Sequence, residues 1–79
     1  MISIKYSEFK KFSFGGEVSV VVIAIEEGQY SVFLEFPNGD YGKLVVQNSG
    51  VLKVYKSLLT VERDVLSAGY TSFTYKLDN

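Results

Sequence analysis

The chain contains no cysteine and no histidine, and only one proline and one methionine among its 79 residues. Without cysteine there is no disulfide, and without either residue a structural zinc site loses its usual ligands. The same absences remove the Ser-His-Asp arrangement, the cysteine nucleophile and the common transition-metal sites. Eight Lys and Arg stand against nine Asp and Glu, so long-range attraction to nucleic acid or to an anionic membrane is not expected. The longest uninterrupted apolar run, Val20 to Ile25, is far too short to span a bilayer. The first residues lack the basic-then-apolar order of a signal peptide, and a cytoplasmic location is therefore expected. A lack of cysteine also suits that compartment.

What remains is apolar and aromatic: 47% of the residues are hydrophobic and 15% are Phe or Tyr, which argues against disorder. A single domain over residues 1–79 is expected from the length. Such a domain buries only about 60% of the surface its unfolded chain exposes. With no covalent or metal staple, stability must come from packing, either within the chain or between copies of it.

The segment Val18 to Ile25 is apolar on both of its alternating sides. Two turns then fix which residues share a side. In Ile25-Glu26-Glu27-Gly28-Gln29 and in Phe36-Pro37-Asn38-Gly39-Asp40, Gly stands third in the loop, where a type I turn followed by a left-handed residue wants it. Pro37 suits the first central position of the second turn. Three-residue hairpin loops pair even positions with even and odd with odd. One face then carries Val18, Val20, Val22 and Ala24, opposite Phe36, Leu34, Val32 and Tyr30, with Leu44 and Val46 beyond, and is expected to be the core. The other carries Ser19, Val21, Ile23 and Ile25, opposite Glu35, Phe33, Ser31 and Gln29, with Tyr41, Lys43 and Val45 beyond. A two-residue turn at either loop would exchange the two sets.

Ile2, Ile4 and Tyr6 alternate with Ser3 and Lys5, which predicts a short first strand. Phe12-Ser13-Phe14-Gly15-Gly16 predicts a further hairpin whose register the residues leave open. From Asn48 or Ser49, both good N-caps, Val51, Val54, Leu58, Val61 and Val65 recur at helical spacing, and Gly69 supplies a left-handed stop. A second stripe of Leu52, Tyr55, Leu59 and Leu66 widens the apolar arc beyond what one sheet contact needs. Tyr70 to Leu77 alternates again, with Thr71, Phe73, Tyr75 and Leu77 on one side, and reads as a closing strand. The predicted fold is a small two-layer α+β domain. It comprises an antiparallel β-meander of about five to six strands, one amphipathic helix over about residues 49–68, and a closing C-terminal strand.

Catalytic chemistry finds little support. Glu26-Glu27, an adjacent pair of carboxylates, falls at a hairpin tip where nothing desolvates it. Gly15-Gly16 opens no helix that would cradle a phosphate. Asn38-Gly39-Asp40 is too short to supply the oxygens of a calcium site. No catalytic residue, no cofactor and no metal is expected. Glu62 falls between the two apolar stripes, so it is expected either to bond a Tyr or Lys at the edge of the sheet contact or to sit at an interface.

These readings point to a non-enzymatic interaction domain that self-associates, most simply as a two-fold dimer. The candidate interface residues are Val21, Ile23, Phe33, Val45, Tyr41, Glu62, Leu59 and Leu66. The alternative is that the first hairpin or the closing strand covers the odd face within one chain. In size and composition the chain is also similar to accessory or inhibitory proteins of phages and other mobile elements, which implies an unidentified protein target. A second function, binding of single-stranded nucleic acid, would use Phe33, Tyr41 and Tyr70 as a stacking platform with Lys43 and Lys76 at the phosphates. The slightly acidic net charge, −1, makes this the less favoured reading.

Overall fold

The computed structural model describes residues 1–77, arranged as five strands and two helices. These are β1 (Ile2–Ile4), α1 (Tyr6–Phe12), β2 (Ser19–Glu26), β3 (Gln29–Glu35), β4 (Tyr41–Leu44), α2 (Leu58–Ser67) and β5 (Thr74–Leu77). The strands form one sheet in the order β1-β4-β3-β2-β5. Its three central strands are the antiparallel meander, but β1 runs parallel to β4 and β5 runs parallel to β2. The α+β class therefore holds, while the sheet is mixed and not purely antiparallel. A parallel neighbour requires a crossover, and the two helices supply that reach.

The loop grammar places the core correctly, by a route that differs in one hairpin. Pro37, Asn38 and Gly39 form the expected three-residue loop, closed by Phe36 N–H donating to Asp40 O at 2.8 Å, with Gly39 at φ +90°. The other turn has only Glu27 and Gly28 between the paired Glu26 and Gln29. That shorter turn would have exchanged the faces, but the ladder shifts between Ala24 and Glu26, leaving Ile25 as an extra residue. Parity is restored, so Val20, Val22, Val32, Leu34 and Leu44 enter the core together with Ile4, Phe9, Tyr55, Val61, Val65 and Ala68. Each large side chain fully buried there contributes about 1.5 to 3 kcal/mol. Val46, assigned to the same face, lies past the end of β4 and is exposed.

Three elements differ from the predicted ones, the least of them the closing strand, which begins at Thr74 and not at Tyr70. Tyr6 does not continue the first strand; with Phe9 and Phe12 it takes a spacing of three and forms α1. Lys5 N–H donates to Glu8 Oε1 at 3.0 Å, which satisfies one free amide at the helix start. Phe12 to Gly16 is then the exit of a helix and not a hairpin: Phe14 and Gly15 N–H groups donate to Lys11 and Phe12 carbonyls, and Gly16 takes φ +68°.

The second difference is the start of α2, at Leu58 and not near residue 49. Gly50 at φ +72° closes a turn in which Val46 N–H donates to Val51 O at 2.7 Å, and this stops any helix there. The chain then stays extended into a fork. β3 and β4 pair only between Phe33–Lys43 and Glu35–Tyr41, and beyond that the 52–55 segment enters between them. Lys53 N–H donates to Leu44 O, and Tyr55 and Tyr30 exchange two backbone bonds of 2.7 and 2.9 Å. Ser57 caps α2, its Oγ accepting from Thr60 N–H at 3.3 Å. At the other end Gly69, at φ +104°, lets Tyr70 N–H reach Val65 O. Val61 and Val65 meet the sheet as expected, whereas Val51, Val54 and Leu58 stay exposed.

Candidate functional site

Both helices contribute to the core on the even face, and this divides the predicted interface residues between two layers of the molecule. Val21, Ile23 and Phe33 are brought together in the middle of the odd face, with Tyr41 and Lys43 on the next strand. Part of this patch is already out of water. Val21 is 2% exposed and Val45 3%, so a partner covering them would remove almost no further apolar area from water. Val45 instead bridges to Leu52 beside the fork. Ile23 and Phe33 remain half-buried. Polar residues ring them through the cross-strand pairs Phe33–Lys43, Ile23–Ser31, Ile23–Lys76 and Ser19–Glu35.

Leu59, Glu62 and Leu66 lie on α2, in the other layer. Spacings of three and four put them on one stripe of the helix, next to the buried Val65. Leu59 is 78% and Leu66 53% exposed. Glu62 stands in solvent, and among the described residues it has neither a hydrogen bond nor an ion pair. The acid that does bond a tyrosine and a lysine is Asp64. Its Oδ2 accepts from the Tyr55 hydroxyl at 2.7 Å and lies 3.7 Å from Lys53 Nζ, which in turn sits 5.1 Å over the Tyr55 ring. Burial foremost, then the hydrogen bond and the charge of Asp64, push the Tyr55 hydroxyl well above the usual tyrosine range. Asp64 escaped the sequence reading because it belongs to the polar half of the helix. Its partners lie on the segment that was expected to be helical as well.

The nucleic-acid platform loses one of its three aromatics. Tyr70 is not on the odd face: its ring stacks 4.7 Å from Phe9, and its hydroxyl donates to Phe9 O at 2.7 Å. Burial raises it to about 12. Phe33, Tyr41, Lys43 and Lys76 stay on the open face.

The residues that the sequence reading left out of the interface are Tyr75 and Leu77. They share the side of β5 that faces the helices, as the partners of Val22 and Ala24. Yet β5 is an outer strand, and α2 does not cover it: Tyr75 is 44% and Leu77 65% exposed. The alternation Phe73, Tyr75, Leu77 was visible, but not the place of this strand at the sheet edge. Beside it, Glu62, Val65, Leu66, Thr71, Ser72 and Phe73 line a depression of about 290 Å³. The largest cavity, about 700 Å³, lies elsewhere, between Met1, Ile2, Phe12 and the Phe36–Tyr41 turn. Asn38 and Asp40 at its rim bond each other.

Among the described residues, no three or more of His, Cys, Asp and Glu come together as a metal-binding group. No helix among them is long and apolar enough to cross a membrane. The chain matches no protein-family model, no curated protein and no solved structure.

Proposed function

We propose that this chain is a non-enzymatic protein-interaction domain that self-associates, most simply as a two-fold dimer. One observation carries the reading: the outer strand β5, paired on one side only among the described residues, leaves Tyr75 and Leu77 exposed, and Leu66 of α2 is exposed beside the neighbouring Phe73. Native proteins blunt sheet edges with charge, proline or a covering element; here Lys76 is the one charge on the strand, set between the exposed Tyr75 and Leu77. Large apolar side chains exposed beside an open sheet edge are the kind of surface that marks an interface. Full burial of each large side chain is worth about 1.5 to 3 kcal/mol, so a handful of them rivals the net stability of a small domain. An accessory or inhibitory role toward a protein target would draw on the same property, a complementary surface without chemistry. Sedimentation equilibrium tests the reading: a dimer is expected at micromolar protein, and a strict monomer at millimolar concentration refutes it.

The open sheet face supports a second reading, single-stranded nucleic acid held on Phe33 and Tyr41 with Lys43 and Lys76 alongside. Retardation of a single-stranded oligonucleotide at low salt, lost in Phe33→Ala, is its expected signature. No retardation at micromolar protein removes it.

A further inference from the structure

We infer that the partner is a second copy of this chain, joined by antiparallel pairing of β5 with its own counterpart, with Tyr75 on the two-fold axis. This rests on the self-association reading above and names the surface and register that it would use.

The backbone groups available at the edge follow from the hydrogen-bond pattern. Tyr30 exchanges its bonds with Tyr55, on the side of β3 away from β2. Tyr30 is opposite Ala24, so the alternation of an antiparallel ladder turns the N–H and C=O of Ala24 and Val22 away from β3 and toward β5. Val22 lies beside Tyr75 in the parallel ladder, and its bonds therefore run to the flanking Thr74 and Lys76. The N–H and C=O of Tyr75 and Leu77 are left pointing outward, free to pair with another strand.

Side-chain charge then selects the register. Opposed residues in an antiparallel pair lie on the same face, which restricts a two-fold pair of β5 strands to steps of two. A register centred on Lys76 sets two ammonium groups directly opposite, which is destabilising. One centred on Thr74 draws Thr71 and Ser72, outside the strand, into the pairing. Centring on Tyr75 avoids the ammonium pair and reaches only one residue, Phe73, beyond the strand. It opposes Tyr75 to Tyr75 of the partner subunit, Thr74 to Lys76 of the partner subunit, and Phe73 to Leu77 of the partner subunit.

The last of these pairs accounts for the depression beside β5. Phe73 is on its wall with Glu62 and Leu66, so Leu77 of the partner subunit, opposite Phe73 on the helix side of the sheet, enters it. By symmetry each copy donates one exposed leucine and receives one, the self-complementarity that a two-fold interface requires. The product is a continuous sheet with all helices on one side and the odd faces open on the other.

Sedimentation equilibrium on the full chain and three variants tests this, with thermal melts as the control for folding. Leu77 is mostly in solvent, so Leu77→Glu should fold normally and weaken the dimer by about tenfold or more. Phe33→Asp, on the open face, should leave the dimer intact. Thr74→Glu sets a carboxylate opposite Lys76 of the partner subunit twice per dimer and should tighten it at least about twofold. A wild-type monomer at millimolar concentration overturns self-association and this interface with it. A dimer that survives Leu77→Glu but dissociates in Phe33→Asp overturns the β5 interface alone, and a Thr74→Glu dimer no tighter than wild type overturns the Tyr75-centred register.

Discussion

Replacing Tyr55 by Phe isolates the bond that fastens the 52–55 segment to α2. The substitution keeps the buried ring and removes only the hydroxyl that donates to Asp64 Oδ2 at 2.7 Å. A hydrogen bond to a charged group contributes about 1.5 to 3 kcal/mol net. Asp64 is only half-buried and keeps Lys53 at 3.7 Å, so water and the lysine partly replace the lost donor. The expected loss is therefore at the low end, about 1.5 kcal/mol. With a urea m-value of about 1 kcal/mol/M for a domain of this size, the midpoint should fall by about 1.5 M. Asp64→Asn should cost a comparable amount. In a double-mutant cycle the pair should show a coupling of about 1 kcal/mol.

Alkali supplies an independent arm. Tyr55 and Tyr70 both hold their protons in the fold beyond the unfolded value near 10, because burial disfavours the phenolate in each and Asp64 adds to it for Tyr55. Below pH 10 neither state loses these protons and stability should be flat on their account. Above it the unfolded chain releases them first, so stability falls, by at most about 1.4 kcal/mol per pH unit for each tyrosine. The share of Tyr70 continues until its folded group ionises near 12. Tyr55→Phe should make this decline shallower. A variant within about 0.5 kcal/mol of wild type at neutral pH, or one with an unchanged alkaline decline, would refute the assignment of this bond as the fastening.

Four substitutions test the architecture. Leu34→Asp places a carboxylate in the core and should abolish the folded circular-dichroism spectrum, whereas Phe33→Asp, on the open face, should retain it; the opposite outcome would mean that the faces are exchanged. A side chain at Gly42 would meet Ile4 Cγ1 at 3.0 Å and Ile2 Cγ1 at 3.3 Å, so Gly42→Val should cost about 2 to 3 kcal/mol in urea titration. A neutral result there would show that β1 does not lie against β4. Gly50→Ala meets no neighbour but must hold φ +72°, and should cost about 1 kcal/mol from strain alone; unchanged stability would mean that the turn is not left-handed.

Loop glycines made the even face readable because they act locally: Gly39 set its turn as expected, and the extra residue at Ile25 repaired the parity at the other. Local reading failed where a segment answered to distant partners. Val51, Val54 and Leu58 have helical spacing, yet residues 52–55 are held by Leu44 and Tyr30, and nothing within the segment records that. Tyr6, Phe9 and Phe12 carried a spacing of three that the alternation of Ile2 and Ile4 concealed. Strand direction was not readable either, since a strand's alternation is the same beside a parallel or an antiparallel neighbour. Of the candidate surface, Leu59 and Leu66 were legible as apolar surplus on the helix. The burial of Val21 and Val45 was not legible, since the alternation shows only which face a residue takes and not whether that face is closed.

The two outer strands also set an order of assembly. Ile2 lies beside Gly42 and Val21 beside Thr74, so each edge joins strands with three whole elements between them in the chain, whereas β2 and β3 meet across a short turn. Closing a long loop is costly before its contacts form, so the meander should be the folding nucleus and the edges should dock late. In native-state hydrogen exchange the amides of β1 and β5 should accordingly open at lower free energy than those of β2 and β3. Association along β5 would slow exchange at Tyr75 and Leu77 while leaving β1 as it was.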